Sequence, residues 1–383
     1  MKANLPPDTE LPETGPAFRW TGINSESARM QGAKALLLRL QSYESAGVGY
    51  HVVAHSHGGS VVWTALHLAR HGVDVKELKS LRSWTTVGTP FLVPEPSPAA
   101  TFARLWDAIL LVGIAVVADA HYFGFLRRVS PVFFVTLVCS LFLALLVVGW
   151  RLDLQSDQRL VTRVATTYGE RWLGLWSSQD EAIEGLRVSR LLSGRLIPRR
   201  PVMLGPFWDW SRLVLYAPVA LAQLLLTPVR NSLAPIADRF VWASLRDAIL
   251  GNDRPGLRVK AVSGAPIPAW IDALGDNPGL PEQTDAALIV AANESAQHSV
   301  PHMRALIGRA AAGIPLAVLR FELDASLSGD ELVHTSYFGN EDVRRLICAH
   351  ITLAGARTPP KAGDDAADWV RSRKRAVAAM LDR

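Results

Sequence analysis

Tyr50-His51-Val52-Val53-Ala54-His55-Ser56-His57-Gly58-Gly59-Ser60 is the stretch on which the reading of this chain turns. Residues 50–54 are β-rich and predict a short strand. From Ser60 to Arg70 the apolar residues fall at helical spacing, so His55-Ser56-His57-Gly58-Gly59 is a tight turn joining strand to helix. A turn of this kind lifts the hydroxyl of its serine above the sheet. The residues two before and two after that serine must be small because the backbones crowd there, and Ala54 and Gly58 meet the requirement.

On either side of this turn the pattern continues. Phe18-Arg19-Trp20-Thr21-Gly22 predicts a short strand, and Ser25 to Gln41 a helix with Asn24 or Ser25 as its N-cap. Ser83-Trp84-Thr85-Thr86-Val87 predicts a strand ending at Gly88-Thr89-Pro90, with a Pro-rich break to Pro98. Val161 to Tyr168 reads as helix, and Trp172-Leu173-Gly174-Leu175-Trp176 as a strand leading to the polar turn Ser177-Ser178-Gln179-Asp180. Leu257 to Val262 and Leu316 to Glu322 predict strands, Pro281 to Gly313 is mostly helical, and Glu341 to Ile351 is a closing helix.

Composition bounds the class. The chain has 383 residues, 49% apolar and 20% charged, against a usual charged share of roughly 25%, which excludes disordered and collagenous readings and points to membrane. Val129 to Trp150 is an uncharged run of 22 residues, long enough for the ~20 that a bilayer core requires. Ala108 to Leu126 has similar length but contains Asp119 and His121, and Arg127-Arg128 joins the two. A third run, Leu213 to Val229, is shorter, carries Pro218 and Gln223, and is assigned to the interface or to insert core. No apolar leader follows Met1-Lys2-Ala3-Asn4-Leu5-Pro6-Pro7, so no cleaved secretory signal is expected. Two cysteines, Cys139 and Cys348, make no disulfide framework. The 33 Arg and 7 Lys are scattered, which argues against nucleic acid and leaves a mildly basic face for anionic lipid headgroups.

With its Ala54-His55-Ser56-His57-Gly58-Gly59 elbow the chain resembles the α/β-hydrolase superfamily, in particular its lipase- and esterase-like branch. The likeness covers about residues 17–92, 160–186 and 315–352. It implies a mostly parallel α/β sheet and a triad in the chain order Ser, acid, His. Ser56 is then the nucleophile. Asp180 is the acid, standing in the turn beyond a strand's carboxyl end, with a helix N-cap for Glu181 to Leu186 as its ordinary alternative and Asp324 and Asp330 in reserve. His334, in Leu332-Val333-His334-Thr335-Ser336-Tyr337-Phe338, is the base, since histidine alone takes and returns a proton near neutral pH. The backbone N–H of His57 donates to the oxyanion. The family's second oxyanion donor comes from a His-Gly-type loop after an early strand. Only 55 residues precede Ser56 and residues 1–17 hold no such loop, so the first strands and half the oxyanion hole are expected to be missing, through a late start codon or in a degenerate member.

The division expected is a lead-in 1–16, core segments 17–104, 151–184 and 256–356, a transmembrane hairpin 105–150 at the lid position, an Arg/Pro/Trp-rich insert 185–255 and a charged helical tail 357–383. Two spans keep Ser56, Asp180 and His334 on one side, whereas one or three separate them. Arg104, Arg151, Arg159 and Arg163 against Arg127 and Arg128 place that side in the cytoplasm. The expected protein is a membrane-anchored serine hydrolase of lipophilic or acyl esters, partnered by the lipid bilayer, with no metal or organic cofactor. Its rivals are a catalytically degenerate membrane protein that binds or assembles, and an acyltransferase using the same triad. His67/His71 and His298/His302 are four apart, a spacing for two metal ligands, but neither pair is offered a third, and they read as surface histidines. His51 and His55 flank the elbow, and Trp208 and Trp210 near Arg212 read as an interface belt or as insert core.

Overall fold

The computed structural model describes residues 5, 9–10, 18–71, 77–96, 161–193, 234–235, 237–239, 241–253, 257–274, 279–311, 331–355 and 364–381. Helix α1 (Glu26–Ala46) starts where the Ser25 hydroxyl accepts the Ala28 N–H at 3.2 Å, and it ends at Gly47, whose φ of +66° is the left-handed stop that favours glycine. Ala33, Leu36, Leu37 and Leu40 form one buried stripe on it and pack toward α2 (His57–His71).

Strands β1 (Tyr50–His55), β2 (Leu81–Val87) and β4 (Trp172–Leu175) make a parallel sheet in the order β1-β2-β4. Val53 pairs with Thr85, and Thr85 in turn with Leu173. Every residue of β2 except Arg82 is buried, which is the burial of a parallel strand covered on both faces. On one face Trp84 stacks on Trp63 of α2 with ring centroids 5.9 Å apart, and its indole N–H donates to the Tyr168 carbonyl at 2.8 Å. On the other, the Thr85 hydroxyl meets His350 Nδ1 at 2.9 Å, tying β2 to α7 (Glu341–Gly355). Between these lie α3 (Glu181–Ser189), α4 (Pro268–Leu274), α5 (Glu282–Ala311) and α6 (Val333–Ser336), and α8 (Asp365–Leu381) follows. A separate antiparallel ribbon pairs β3 (Phe91–Pro96) with β5 (Leu257–Ser263).

This architecture corrects the expected α/β-hydrolase-type sheet. Among the described residues the parallel sheet has three strands, and the segment expected as a further strand, Leu257 to Val262, turns away to pair antiparallel with β3. Phe18 to Gly22 forms no strand either: Trp20 seats on α1, where a side chain at Gly32 would begin 3.2 Å from the Trp20 Cβ and 3.4 Å from its indole, so its apolar surface is covered by a helix rather than by a neighbouring strand. Leu316 to Glu322 lies outside the described residues, as do Asp324, Asp330, Trp208, Trp210 and Arg212.

The expected multi-pass, two-span membrane topology, with its catalytic part in the cytoplasm, is corrected as well. Among the described residues no helix is long and apolar enough to cross a membrane. Helix α5 has 30 residues and α1 has 21, but both are punctuated by charge, at Glu282, Asp285, Glu294 and Arg304 in the first and at Glu26, Arg29, Lys34, Arg39 and Glu44 in the second. The apolar runs 108–126, 129–150 and 213–229 lie outside the described residues.

Candidate active site

Ligands in parallel α/β sheets gather at the carboxyl ends of the strands, and there this chain collects its chemistry. Strand β1 runs into Ser56, β2 into Gly88, and β4 toward Asp180. Ser56 takes φ +53°, a left-handed conformation uncommon for a residue with a side chain. Its N–H donates to the Val87 carbonyl at 3.0 Å, so the strained residue is fixed to the end of the neighbouring strand. Helix α2 starts at His57, whose backbone N–H is among the first-turn donors that have no partner within the helix. The positive end of the helix dipole faces the serine.

The small residues of the elbow divide their work differently from expectation. A Cβ added at Gly58 would meet the Ala54 Cβ at 3.8 Å, an ordinary contact, whereas one added at Gly59 would stand 2.2 Å from the Thr89 hydroxyl. Gly59→Ala is therefore expected to destabilise the fold by ~1–3 kcal/mol through overpacking. Gly58→Ala, in the first turn of a helix, is expected to be neutral or to stabilise by a few tenths of a kcal/mol. Urea midpoints of the two variants measure this, and equal midpoints would contradict it.

Ser56 and Asp180 lie at the ends of strands two apart, roughly 10 Å by strand spacing. His334 spans the gap. Its Nε2 is 2.9 Å from Ser56 Oγ, and its Nδ1 is 3.0 and 3.1 Å from the two Asp180 oxygens. Asp180 is fully buried. Its Oδ1 also accepts the N–H groups of Ala182 and Ile183, at 3.0 and 3.1 Å, so the same carboxylate caps α3 and faces the histidine. The N-cap expected as the ordinary alternative is thus present, and the same carboxylate also faces His334. Four donors converge on an acceptor-only group, with the Tyr337 hydroxyl at 2.6 Å from Oδ2 as the fourth.

Glu181, which local sequence pattern left unmarked, and His55, noted only as flanking the elbow, hold His334 in place. The Glu181 carboxylate accepts the backbone N–H groups of Val333 and His334, each at 3.0 Å. His55 Nε2 lies 2.7 Å from the His334 carbonyl oxygen, which makes that nitrogen the protonated one. The imidazole of His55 also packs against that of His334, with ring centroids 4.8 Å apart. Both flanking carboxylate and imidazole reach across more than 150 residues of sequence, and no local spacing announces them.

The turn that leads to Asp180 is equally anchored. Ser177 Oγ donates to Asp285 Oδ1 at 2.5 Å, Ser178 Oγ donates to Asp285 Oδ2 at 2.7 Å, and the Trp176 N–H donates to the Gly279 carbonyl at 3.3 Å. Of the histidines weighed as metal ligands, His67 packs edge-on against Trp63 and His298 Nδ1 bonds the Glu294 carbonyl oxygen at 2.7 Å. Among the described residues no group of three His, Cys, Asp or Glu is arranged to hold a metal ion. His51 lies away from the serine, with its Nδ1 2.7 Å from the Ser83 hydroxyl.

Burial depresses the basicity of several imidazoles. His57 is lowered to about 4, by burial first and then by the charges of Arg29 and His334. His55 is lowered mainly by burial, and His350, fully buried, lies well below the ordinary 6.5. Between that ordinary value of 6.5 and about 4 the unfolded chain binds protons that the folded chain refuses. The stability that these neutral buried imidazoles contribute is therefore expected to be full above pH 6.5 and to fall as the pH drops through the window toward 4. Urea midpoints at pH 7.5 and pH 5 measure it, and a midpoint that is no lower at pH 5 would contradict it.

Compared with protein-family models, curated proteins and solved structures, the chain matches none.

Proposed function

We propose that this chain is a serine hydrolase that cleaves carboxylic esters of acyl substrates. One observation carries the reading: the continuous hydrogen-bonded line from Ser56 Oγ through both nitrogens of His334 to the buried Asp180 carboxylate, with the serine in a strained elbow. Ser56 Oγ attacks the ester carbonyl as its proton passes to His334 Nε2. Asp180 holds the Nδ1–H tautomer and stabilises the imidazolium. The N–H of His57 donates to the oxyanion of the tetrahedral intermediate. The C–O bond to the alcohol then breaks, and the leaving oxygen takes the proton from His334. Water repeats the sequence on the acyl-serine, giving up its proton to His334 and releasing the acid with Ser56 restored.

Leu332 and Phe338, exposed at 48% and 37% on either side of the histidine segment, favour an apolar group on the substrate. A fluorophosphonate probe tests the reading directly. Attack by Ser56 Oγ on phosphorus forms the O–P bond, expels fluoride and sends the serine proton to His334. Labelling that maps to Ser56 by peptide mass is the expected result. An intact, folded chain that stays unlabelled would overturn it.

A further inference from the structure

We propose that Tyr337 is a positioning residue of this site: its hydroxyl fixes the Asp180 carboxylate and moderates the charge that carboxylate presents to His334. The role rests on the reading of Ser56 as nucleophile. The Tyr337 oxygen accepts the Ser177 N–H at 2.8 Å, which leaves its single proton directed at Asp180 Oδ2, 2.6 Å away. The ring is fully buried, so water does not compete for either bond. A hydrogen bond to an ionised acceptor is roughly twice as strong as a neutral one and withdraws charge from the carboxylate.

The backbone beneath reserves room for this contact. Gly88 ends β2 at φ +52°, and a Cβ there would stand 2.5 Å from the Tyr337 ring and 2.8 Å from Asp180 Oδ2. Tyr337 and Asp180 thus share a notch that only glycine leaves open. The ionisable groups around the phenol are Asp180 at the start of α3, Asp285 from α5, His55 from β1 with its ring 6.2 Å away, and His334 from α6. Burial and the two carboxylates hold the phenol protonated, so it serves as donor throughout the working pH range.

A tyrosine that merely filled space would alter stability and leave titration alone. The experiment therefore follows the rate of fluorophosphonate labelling of Ser56 against pH in the full chain, for wild type and Tyr337→Phe, with Ser56→Ala as blank. Without the phenol the carboxylate faces the imidazolium with more charge. The acid limb of the labelling profile is expected to move to higher pH by about half a unit or more, and labelling near pH 7 to slow about tenfold as the carboxylate loses its fixed orientation. An acid limb that stays where it is in the wild type overturns the proposal, whatever the rate does. Should Tyr337→Phe not fold, 3,5-difluorotyrosine at position 337 keeps ring and hydroxyl and donates more strongly. The limb is then expected at lower pH, and an unmoved limb overturns the proposal equally. Failure of the wild type itself to label overturns the reading of Ser56, and the role of Tyr337 with it.

Discussion

Ser56→Ala is expected to lower hydrolysis of a short-chain aryl ester by roughly 10⁴- to 10⁶-fold, because nucleophile and base act as a unit and removing one forfeits nearly the whole gain. The fold should be indifferent to the change. Ser56 contributes one side-chain hydrogen bond, to His334 at 2.9 Å, and alanine meets the same backbone strain at φ +53° that serine already bears. Circular dichroism and the urea midpoint of the variant should match the wild type. A variant that keeps activity within tenfold would remove Ser56 from the chemistry and return the elbow to a turn that merely packs α2 on β1.

Asp180→Asn separates the two duties of one carboxylate. Asparagine is as good an N-cap as aspartate, so the bonds from the Ala182 and Ile183 N–H groups survive and α3 keeps its start. Toward His334, however, the amide offers N–H where a carboxylate accepted one, and the imidazole turns to the tautomer that cannot take the serine proton. Turnover is expected to fall by about 10³- to 10⁴-fold with little change in KM. Asp180→Ala should show the same kinetic loss and, in addition, lower stability by about 0.5–2 kcal/mol through the missing cap. An asparagine variant within tenfold of wild type would reduce Asp180 to a capping residue.

Local pattern reaches some parts of this molecule and stops short of others for physical reasons. Ser56 stands out because everything that defines it is adjacent: a β-rich run, small residues two positions away and a helical period behind it. Asp180 is legible by context as the end of a polar turn after a strand and His334 as a histidine just before the helix at Glu341, though it sits within the short helix α6, and the structure brings both to Ser56. Glu181 and Tyr337 are illegible because their work depends on partners 153 and 157 positions distant. The sheet misleads for a related cause. A β-rich stretch records that a side-chain row wants covering, not what covers it, and at Phe18 to Gly22 the cover is Gly32 of α1, while at Leu257 to Ser263 it is an antiparallel partner. Apolar runs carry the same ambiguity, and among the described residues none of the long helices has the uninterrupted apolar length that a bilayer demands.

The span of the histidine's bonds has a consequence for how the chain matures. His334 binds Ser56 across 278 residues and Asp180 across 154, whereas α1, β1 and α2 follow one another directly in the chain and pack together. Closing loops of that size is entropically costly and slow compared with docking consecutive elements. Docking of α1, β1 and α2 is therefore expected to precede the contacts of His334. The hydrogen bonds that join Ser56, His334 and Asp180 are expected to form late in folding, so that loss of late tertiary structure would separate these three side chains before it separates α1 from α2.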